Sequence, residues 1–227
     1  MADDLLITGT DTGVGKTVIA AAAVLALRER GVRAVGFKPA ETGVSDSEPA
    51  DSQVLAEASG IDEPLALPLL RLAEPLTPAL AAERAGRTID PRAVGDRLRA
   101  LWAAGYTVIV EGAGGALAPL AWDFNTLDLA AEHLLDVLVV ARAGLGTLNH
   151  VMLTVDAIER RGLNLAGVVL SGAGDPPDLA ERTNPDALAR LRPRLRVLSL
   201  PRVPDAGSLA AARVLAPFLG RWLTARA

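Results

Sequence analysis

The architecture of this chain follows from residues 5–17, which read Leu5-Leu6-Ile7-Thr8-Gly9-Thr10-Asp11-Thr12-Gly13-Val14-Gly15-Lys16-Thr17. A short apolar run turns at glycines into Gly-Lys-Thr, and a long apolar segment follows at 18–27. This order is typical of a strand, a phosphate-binding loop and a helix. Glycines allow backbone N–H groups to approach phosphate oxygens, Lys16 adds a cation, and Thr17 offers a hydroxyl to Mg²⁺. The stretch therefore predicts a site for a nucleoside triphosphate.

The loop departs by one residue from the usual phosphate-loop spacing. In the usual loop the first glycine lies five residues before the glycine that precedes the lysine. Counted back from Gly15, that position is Thr10, and the glycine lies one place earlier, at Gly9. The alternative interpretation is a glycine-rich turn between a strand and a helix in which the lysine is accidental. The flanking apolar strand and helix favour the phosphate loop, because that context is part of the motif.

Composition limits the class of protein and its partners. The 227 residues are 50% apolar, and no break in composition divides them, so we expect one domain over 1–227. The net charge is −4 with both signs interspersed, which disfavours binding to nucleic acid or to an anionic membrane. The absence of cysteine fits a reducing compartment, and Asp3 and Asp4 occupy the place where a signal peptide needs positive charge. A cytoplasmic location is the expectation.

Buried strands alternate with helices along the chain. After the first strand, strands are predicted at 34–37, 106–110, 137–140, 165–170 and 196–200. Helices are predicted at 16–30, 51–58, 79–85, 91–104, 125–133, from the turn at 144–147 to 161, from an Asn184-Pro185 cap onward, and at 208–224. The segment 40–46 reads as a polar turn, and four prolines make 64–78 an irregular connection. The alternation predicts an α/β fold with a doubly wound, mostly parallel sheet.

Polar groups follow the carboxyl ends of several predicted strands. Lys38 follows the second strand, and Glu111 precedes three glycines in four residues. Open α/β sheets bind ligands at this edge. Thr17, Glu111 and Asp51 are candidate Mg²⁺ ligands, although Asp51 alone would read as a helix N-cap. Lys38 would be a second ammonium near the transferred phosphoryl group, held at the rim of the sheet, and the alternative is an ordinary surface lysine. As a rim lysine it should contribute little to the core, so Lys38→Ala should reduce turnover by orders of magnitude and leave the fold intact.

Four motifs together carry a resemblance to a known family. The stretched loop at 9–17, Lys38-Pro39-Ala40-Glu41-Thr42-Gly43, Glu111-Gly112-Ala113-Gly114-Gly115 and Leu145-Gly146-Thr147-Leu148-Asn149-His150 resemble those of dethiobiotin synthetases in order and spacing. The similarity extends from the first strand to about residue 203. Either the Lys38 or the Glu111 element alone is weak, whereas their combination with this loop is highly specific.

The resemblance implies an ATP-dependent ring closure in biotin synthesis. In that family an amine of 7,8-diaminononanoate takes up CO₂ as a carbamate, and the γ-phosphoryl group of ATP passes to the carbamate oxygen. The second amine then attacks the carbonyl carbon of this mixed anhydride, so that the cyclic urea closes and phosphate leaves. Two lysines would hold the anionic carbamate and phosphate together against their repulsion.

The resemblance also implies roles for particular positions. Lys16, Lys38 and Thr12 would be catalytic, Thr17, Asp51 and Glu111 would bind Mg²⁺, and Thr42 would hydrogen-bond the substrate. Family members are homodimers, and a turn of one subunit receives the substrate carboxylate at a helix N-terminus. In this chain that turn carries Gly144, Leu145, Gly146 and Asn149. His150 follows it and is interpreted as structural. The remaining nucleotide-binding positions would be Gly13, Val14, Gly15, Val18, Gly112, Ala113, Gly114, Ser171, Gly172, Pro201, Arg202 and Val203.

Two positions depart from the family pattern. Some members carry a glutamate at the position of Gly13, and many carry an asparagine that reads the adenine edge at the position of Gly172. Without that side chain, base recognition would rest on backbone groups near Ser171, Gly172 and 201–203. The hypothesis is that CTP or GTP supports turnover comparably to ATP.

Three other functions share parts of this pattern. Partitioning and regulatory ATPases with a deviant loop carry a lysine five residues before Lys16, and this chain has Asp11 there. An amidotransferase-type ligase acting on corrin side chains needs a glutaminase cysteine, which this chain lacks. An ATP-binding domain without catalysis remains an alternative. In addition, the polar loop 41–49 is expected to close when ligand binds.

Overall fold

In the residues that the computed structural model describes, 4–44, 50–60, 64–204 and 208–224, six parallel strands form the central sheet. Asp3 and residues 45–49 of the polar loop therefore lie outside the described residues. The strands in chain order are β1 Leu5–Gly9, β2 Ala34–Phe37, β3 Ala40–Thr42, β4 Leu70–Leu72, β5 Thr107–Gly115, β6 Pro119–Ala121, β7 Phe124–Asn125, β8 Asp136–Arg142, β9 Leu165–Ala173 and β10 Val197–Pro201. The helices are α1 Lys16–Glu29, α2 Asp51–Ser59, α3 Pro78–Arg84, α4 Pro91–Ala103, α5 Thr126–His133, α6 Thr147–Arg160, α7 Leu179–Leu191 and α8 Leu209–Thr224.

The strand order of the central sheet is β10-β9-β8-β1-β5-β2, and every neighbouring pair is parallel. From β1 the chain passes through α1 to the β2 side, whereas from β8 it passes through α6 to the β9 side. The two connections diverge, so a crevice opens between the carboxyl ends of β1 and β8, where open α/β sheets bind ligands. The predicted doubly wound parallel sheet is confirmed.

Both faces of the sheet are buried, which explains the continuous apolar runs of its strands. Leu5 and Ile7 face the core that contains α1, α2 and α8, while Leu6 faces the core beneath α4, α5 and α6. Successive side chains of a strand point to opposite faces, so one short run supplies both cores. This places the loop after β1 at the centre of the sheet edge.

Three predicted strands are longer than expected. β5 continues to Gly115, β9 to Ala173 and β10 to Pro201, so Glu111, Ser171 and Pro201 lie inside strands rather than after them. The pairing with β1 and with β9 shifts register near these ends, which allows the strands to continue through residues typical of turns. The residues still lie toward the carboxyl edge of the sheet.

The predicted turn at 40–46 and the connection at 64–78 contain structure that the sequence did not predict. β3 and β4 pair in parallel as a separate two-stranded sheet, with Glu41 opposite Arg71. A short 3₁₀ helix covers Pro64–Ala66. The three-residue strands carry too little periodicity to be recognised from sequence.

The predicted helix start at Asn184-Pro185 is wrong. α7 begins at Leu179, because Asp178 and Glu181 form a reciprocal cap: each carboxylate accepts the other residue's backbone N–H at 2.8 Å. Pro185 lies inside this helix, and Asn184 is buried. Within the described residues, no helix combines the length and the apolar character that a bilayer span requires.

Candidate active site

The loop between β1 and α1 is shaped to receive an anion. Gly15 is the N-cap of α1 with φ +96°, and no side chain caps this helix end. The N–H groups of the first turn are therefore left for a ligand, and the helix dipole makes this end positive. A Cβ at Gly15 would also lie 3.0 Å from Ser171 Oγ, so glycine is required here for both conformation and space.

Lys16 begins α1 and is folded back over the loop. Its Nζ donates to the backbone carbonyl of Asp11 at 2.9 Å, and the residue is only 6% exposed. Burial lowers the pKa of Lys16, the charge of Glu111 opposes that shift, and the charge of Lys38 reinforces it. The loop thus holds a cation that is poorly compensated in the protein alone and that a bound phosphate would neutralise.

Lys38 forms the ionic centre of the site. Its Nζ donates to Glu111 Oε1 at 2.8 Å and to Asp51 Oδ2, and the same Glu111 oxygen accepts the Thr17 hydroxyl at 2.9 Å. Lys38 is 6% exposed, so the interpretation of a surface lysine at the rim is wrong. Strand β5 lies between β1 and β2, and this neighbouring position brings Glu111 to both Thr17 and Lys38.

The charges of this centre stabilise one another. Burial alone would lower the pKa of Lys38, but Glu111 and Asp51 outweigh it and raise the pKa above its ordinary value. Burial raises the pKa of the fully buried Glu111 carboxyl, against the charge of Lys38. For Asp51, burial is outweighed by the charge and hydrogen bond of Lys38, which lower the pKa. Lys38 is therefore a permanent cation at physiological pH.

A Mg²⁺ ion fits the oxygen atoms at this centre. Glu111 Oε2 is buried and has no hydrogen-bond partner among the described atoms, and Thr17 and Asp51 offer further oxygens beside it. No group of three or more His, Cys, Asp or Glu side chains suited to a metal occurs in the described part of the chain. Two carboxylates and a hydroxyl match Mg²⁺, which retains waters and shares phosphate oxygens rather than occupying an all-protein cage.

One cavity of about 750 Å³, which we call the lysine cavity, contains both lysines. Predicted residues in its wall are Thr12, Gly13, Gly15, Lys16, Thr17, Val18, Lys38, Thr42, Asp51, Glu111, Ala113 and Gly114. Its remaining wall includes residues 75–78, which the sequence did not single out. Their proline pattern indicates only a break in helix and strand periodicity.

A second cavity of about 720 Å³, the Gly172 cavity, lies on the other side of the phosphate loop and shares Gly13, Gly15 and Val18 with the first. Its predicted wall residues are Val14, Gly144, Leu145, Ser171, Gly172, Pro201, Arg202 and Val203. Arg142 was missed. It lines this cavity and pairs with Asp11 of the loop at 2.7 Å, and it could have been suspected because it ends β8 at the same edge.

Three predicted site residues, Gly112, Gly146 and Asn149, do not line either cavity. Gly112 packs against Thr126, where an added Cβ would lie 2.9 Å from Thr126 Cγ2, so its small size serves packing. Gly146 is the N-cap of α6, and Asn149 is exposed in the first turn of that helix.

The buried Asn184 was missed as a site residue. It donates to the carbonyls of Ala143 and Gly144 at 2.7 and 3.1 Å, and these hydrogen bonds fix the turn before α6.

The chain is similar to known proteins over most of its length. The AAA domain family matches residues 3–210. Curated proteins named ATP-dependent dethiobiotin synthetase BioD include one from Anaeromyxobacter dehalogenans (strain 2CP-C), 49% identical over 92% of this chain and 98% of the relative. Another, from Rhodococcus jostii (strain RHA1), is 44% identical over 81% of this chain and 80% of the relative.

Solved structures share the fold at low identity. The septum site-determining protein MinD with Mg-ADP from Pyrococcus horikoshii has a TM-score of 0.61 at 19% identity, covering 98% of this chain and 95% of that one. Cobyrinic acid a,c-diamide synthase from Mycobacterium smegmatis has a TM-score of 0.57 at 21% identity, covering 100% and 97%. These likenesses concern the fold, whereas the sequence matches extend over nearly the whole chain at high identity. The chain belongs to the family of ATP-dependent dethiobiotin synthetases.

Proposed function

We propose that this chain converts 7,8-diaminononanoate, CO₂ and ATP into dethiobiotin, ADP and phosphate, as a ligase of biotin biosynthesis that forms C–N bonds. Family membership supports the reaction. The observation that carries the assignment to these residues is that Lys16 and Lys38 line one cavity together with Glu111. Two cations in one cavity would offset the repulsion between an anionic carbamate and a triphosphate.

Lys16 and the amides of the phosphate loop hold the triphosphate. The uncapped N-terminus of α1 and the lowered pKa of Lys16 support this role, because both favour an added anion. Nucleotide binding would release Lys16 from the Asp11 carbonyl toward a phosphate oxygen. The adenine side of the nucleotide extends into the Gly172 cavity, beyond the shared wall of the loop.

Lys38 acts as a fixed positive charge and not as a base. Its raised pKa keeps the ammonium protonated, so it cannot take a proton from the diamine near neutral pH. Instead it stabilises the negative charge of the carbamate and of the phosphoryl group during transfer. Asp51 and Glu111 hold the ammonium group in place at the edge of the sheet.

Thr17, Asp51 and Glu111 are the residues that would hold Mg²⁺. The unpartnered Glu111 Oε2 is the atom that most favours a metal here. When bound, Mg²⁺ would neutralise phosphate charge during phosphoryl transfer. Glu111→Gln should therefore weaken Mg²⁺-dependent activity more than diamine binding, and Glu132→Gln, an exposed glutamate on α5, is the matched control.

The diamine lies in the lysine cavity beside Thr12 and Thr42. Residues 75–78 supply apolar surface suited to its carbon chain. The carboxylate at the far end would reach the partner subunit's turn at 144–149, so the active form is a homodimer. Leu145 in this turn is 95% exposed and Leu153 on α6 is 63% exposed, which supports an interface there. A cytoplasmic enzyme of this kind fits a chain without cysteine.

The test supplies diamine, bicarbonate, MgATP and enzyme, and detects the cyclic urea by mass. Lys38→Met should lower turnover by about 10²-fold or more, because it removes a charge from the site of transfer. Arg99→Met, which removes an exposed cation on α4, should retain activity. ATP hydrolysis that does not depend on diamine and bicarbonate would instead favour an ATP-binding domain without this catalysis, and full activity in Lys38→Met would refute its role.

A further inference from the structure

The first turn of α2 lacks a side-chain cap of its own. Its N-cap residue is Ala50, which has no acceptor group, and Gln53 Oε1 accepts the Ala50 N–H at 2.8 Å. The backbone N–H of Ser52 in this turn still needs an acceptor, because it has no partner within the helix. Helices usually satisfy this need with Ser, Thr, Asp or Asn at the N-cap.

Glu41 supplies the missing acceptor from a distant part of the chain. Its Oε1 accepts the Ser52 N–H at 2.5 Å, and its Oε2 accepts the Ser52 hydroxyl at 2.8 Å. Arg71 on β4 contacts the same Oε2 at 3.3 Å, and Glu41 is 2% exposed. A buried carboxylate is costly unless its oxygens are paired in this way.

The same short segment binds two consecutive residues of α2. Lys38 holds Asp51 and Glu41 holds Ser52, so two contacts that start three residues apart fix one helix turn. The Asp51 side chain is 44% exposed, and packing alone does not fix its position. The Ser52 contact lies one residue away and holds the backbone at Asp51, together with the packing of Val54 and Leu55 in the core.

We propose that Glu41 is a positioning residue for the ring-closure reaction: it caps α2 from outside the helix and thereby holds the Asp51 carboxylate against Lys38. This inference rests on the proposed roles of Asp51 and Lys38. Glu41 itself does not touch the reacting groups. It acts by limiting where the first turn of α2 can lie.

Four variants separate the cap from other properties of Glu41. Glu41→Ala removes both acceptors, and Ser52→Ala removes one hydrogen bond while leaving the carboxylate in place. Glu41→Gln keeps one carbonyl acceptor and should restore most of what Glu41→Ala loses. Glu57→Ala, an exposed glutamate on the same helix, is the matched control and should behave as wild type.

The first readout does not depend on catalysis. Hydrogen exchange of the peptide that contains Ser52 should accelerate by about tenfold or more in Glu41→Ala and remain slow in Glu41→Gln, because exchange reports local opening of the helix turn. Mg²⁺-dependent binding of ATP should weaken in parallel. Exchange that is unchanged in Glu41→Ala would overturn the proposal.

The second readout is a double-mutant cycle on turnover with Asp51→Asn. If Glu41 acts through Asp51, Glu41→Ala should lower kcat by about tenfold in the wild-type chain and by less than about twofold when Asp51→Asn is already present. A merely structural role would give independent losses that multiply, and that result would overturn the proposal.

Should Glu41→Ala fail to fold, the same cycle with Ser52→Ala and Asp51→Asn replaces it, with a smaller expected loss because the Ser52 N–H keeps its acceptor. A loss in Ser52→Ala that persists in full when Asp51→Asn is present would overturn the proposal. If Asp51→Asn alone retains full activity, the proposed site assignment fails, and the role of Glu41 fails with it. That outcome is distinct from an impaired Asp51→Asn combined with an unimpaired Glu41→Ala, which refutes Glu41 alone.

Discussion

Replacing each lysine by methionine should have opposite effects on the stability of the ligand-free protein. Lys16 and Lys38 are the only lysines in the sequence, and both are 6% exposed. The raised pKa of Lys38 means that its charge stabilises the fold, a contribution fully present below the ordinary lysine value and lost only as pH rises through the folded value. The lowered pKa of Lys16 means that its charge destabilises the fold. This penalty is fully present below the folded value and is lost as pH rises through the ordinary lysine value.

The magnitude for Lys38→Met follows from the carboxylate left behind. Breaking a buried ion pair costs about 3–5 kcal/mol when the remaining charge stays ionised. Glu111 can instead take up a proton, which costs about 3.4 kcal/mol at pH 7 for a carboxyl of ordinary pKa 4.5. Protonation lies at the low end of that range near neutral pH and sets the loss at about 3.4 kcal/mol. For a chain of this length, that lowers Tm by roughly 7–14 °C.

The loss should shrink as pH falls, because protonating Glu111 becomes easier. At pH 5.5 the same reasoning gives about 1.4 kcal/mol, or roughly 3–6 °C. Lys16→Met should melt at or above the wild-type temperature at pH 7, since it removes a desolvated cation at the cost of one hydrogen bond to Asp11. This result would separate the two lysines by charge environment and not by burial, which is equal for both.

Thermal unfolding followed by circular dichroism at both pH values provides the measurement. Selective ¹⁵N labelling of lysine side chains would show each ammonium group directly. Each variant removes one of the two signals and thereby assigns it. A Tm for Lys38→Met within about 2 °C of wild type at pH 7, or a deficit that does not change with pH, would refute the reasoning.

Three further predictions concern other parts of the site. Gly172→Asn should raise the preference for ATP over CTP and GTP, measured by steady-state rates, because the added amide can hydrogen-bond the adenine edge. A Cβ at Gly172 meets no atom within 4 Å, and asparagine tolerates its φ of +83° better than most residues. A hundredfold ATP preference in the wild type would refute the relaxed selectivity. Asn184→Ala should lower the free energy of unfolding by about 2 kcal/mol in urea, because the carbonyls of Ala143 and Gly144 lose their donor; an unchanged midpoint would contradict this. Leu153→Glu should convert the proposed homodimer to a monomer in light scattering, whereas a dimer that persists would place the interface elsewhere.

Much of the fold was predictable because its strands are buried on both faces. The apolar run before the phosphate loop and the runs near 137 and 165 have no competing interpretation, and turn residues follow each of them. The position of β5 beside β1 also followed from the type of fold. It correctly implied that Glu111 lies near Thr17.

The failures have physical causes. Asn184-Pro185 looks like a helix start, but the reciprocal cap of Asp178 and Glu181 begins the helix earlier. The helix continues through Pro185 at the loss of one backbone hydrogen bond. The burial of Lys38 could not be read from the sequence, because it depends on Asp51 and Glu111 from two other elements. The contact between Glu41 and Ser52 was hidden for the same reason.

The scarcity of lysine has a practical consequence for chemical probes. Every other basic side chain of the sequence apart from two histidines is arginine, which does not react with acylating or aldehyde reagents under mild conditions. An electrophile directed at amines therefore meets two side-chain amines, both in the wall of a single cavity. Lys16, whose pKa is lowered, is the reactive one, because Lys38 stays protonated in its ion pairs. Covalent ligands of this kind would gain selectivity within the molecule from its composition, and protection by nucleotide would reveal when the cavity is filled.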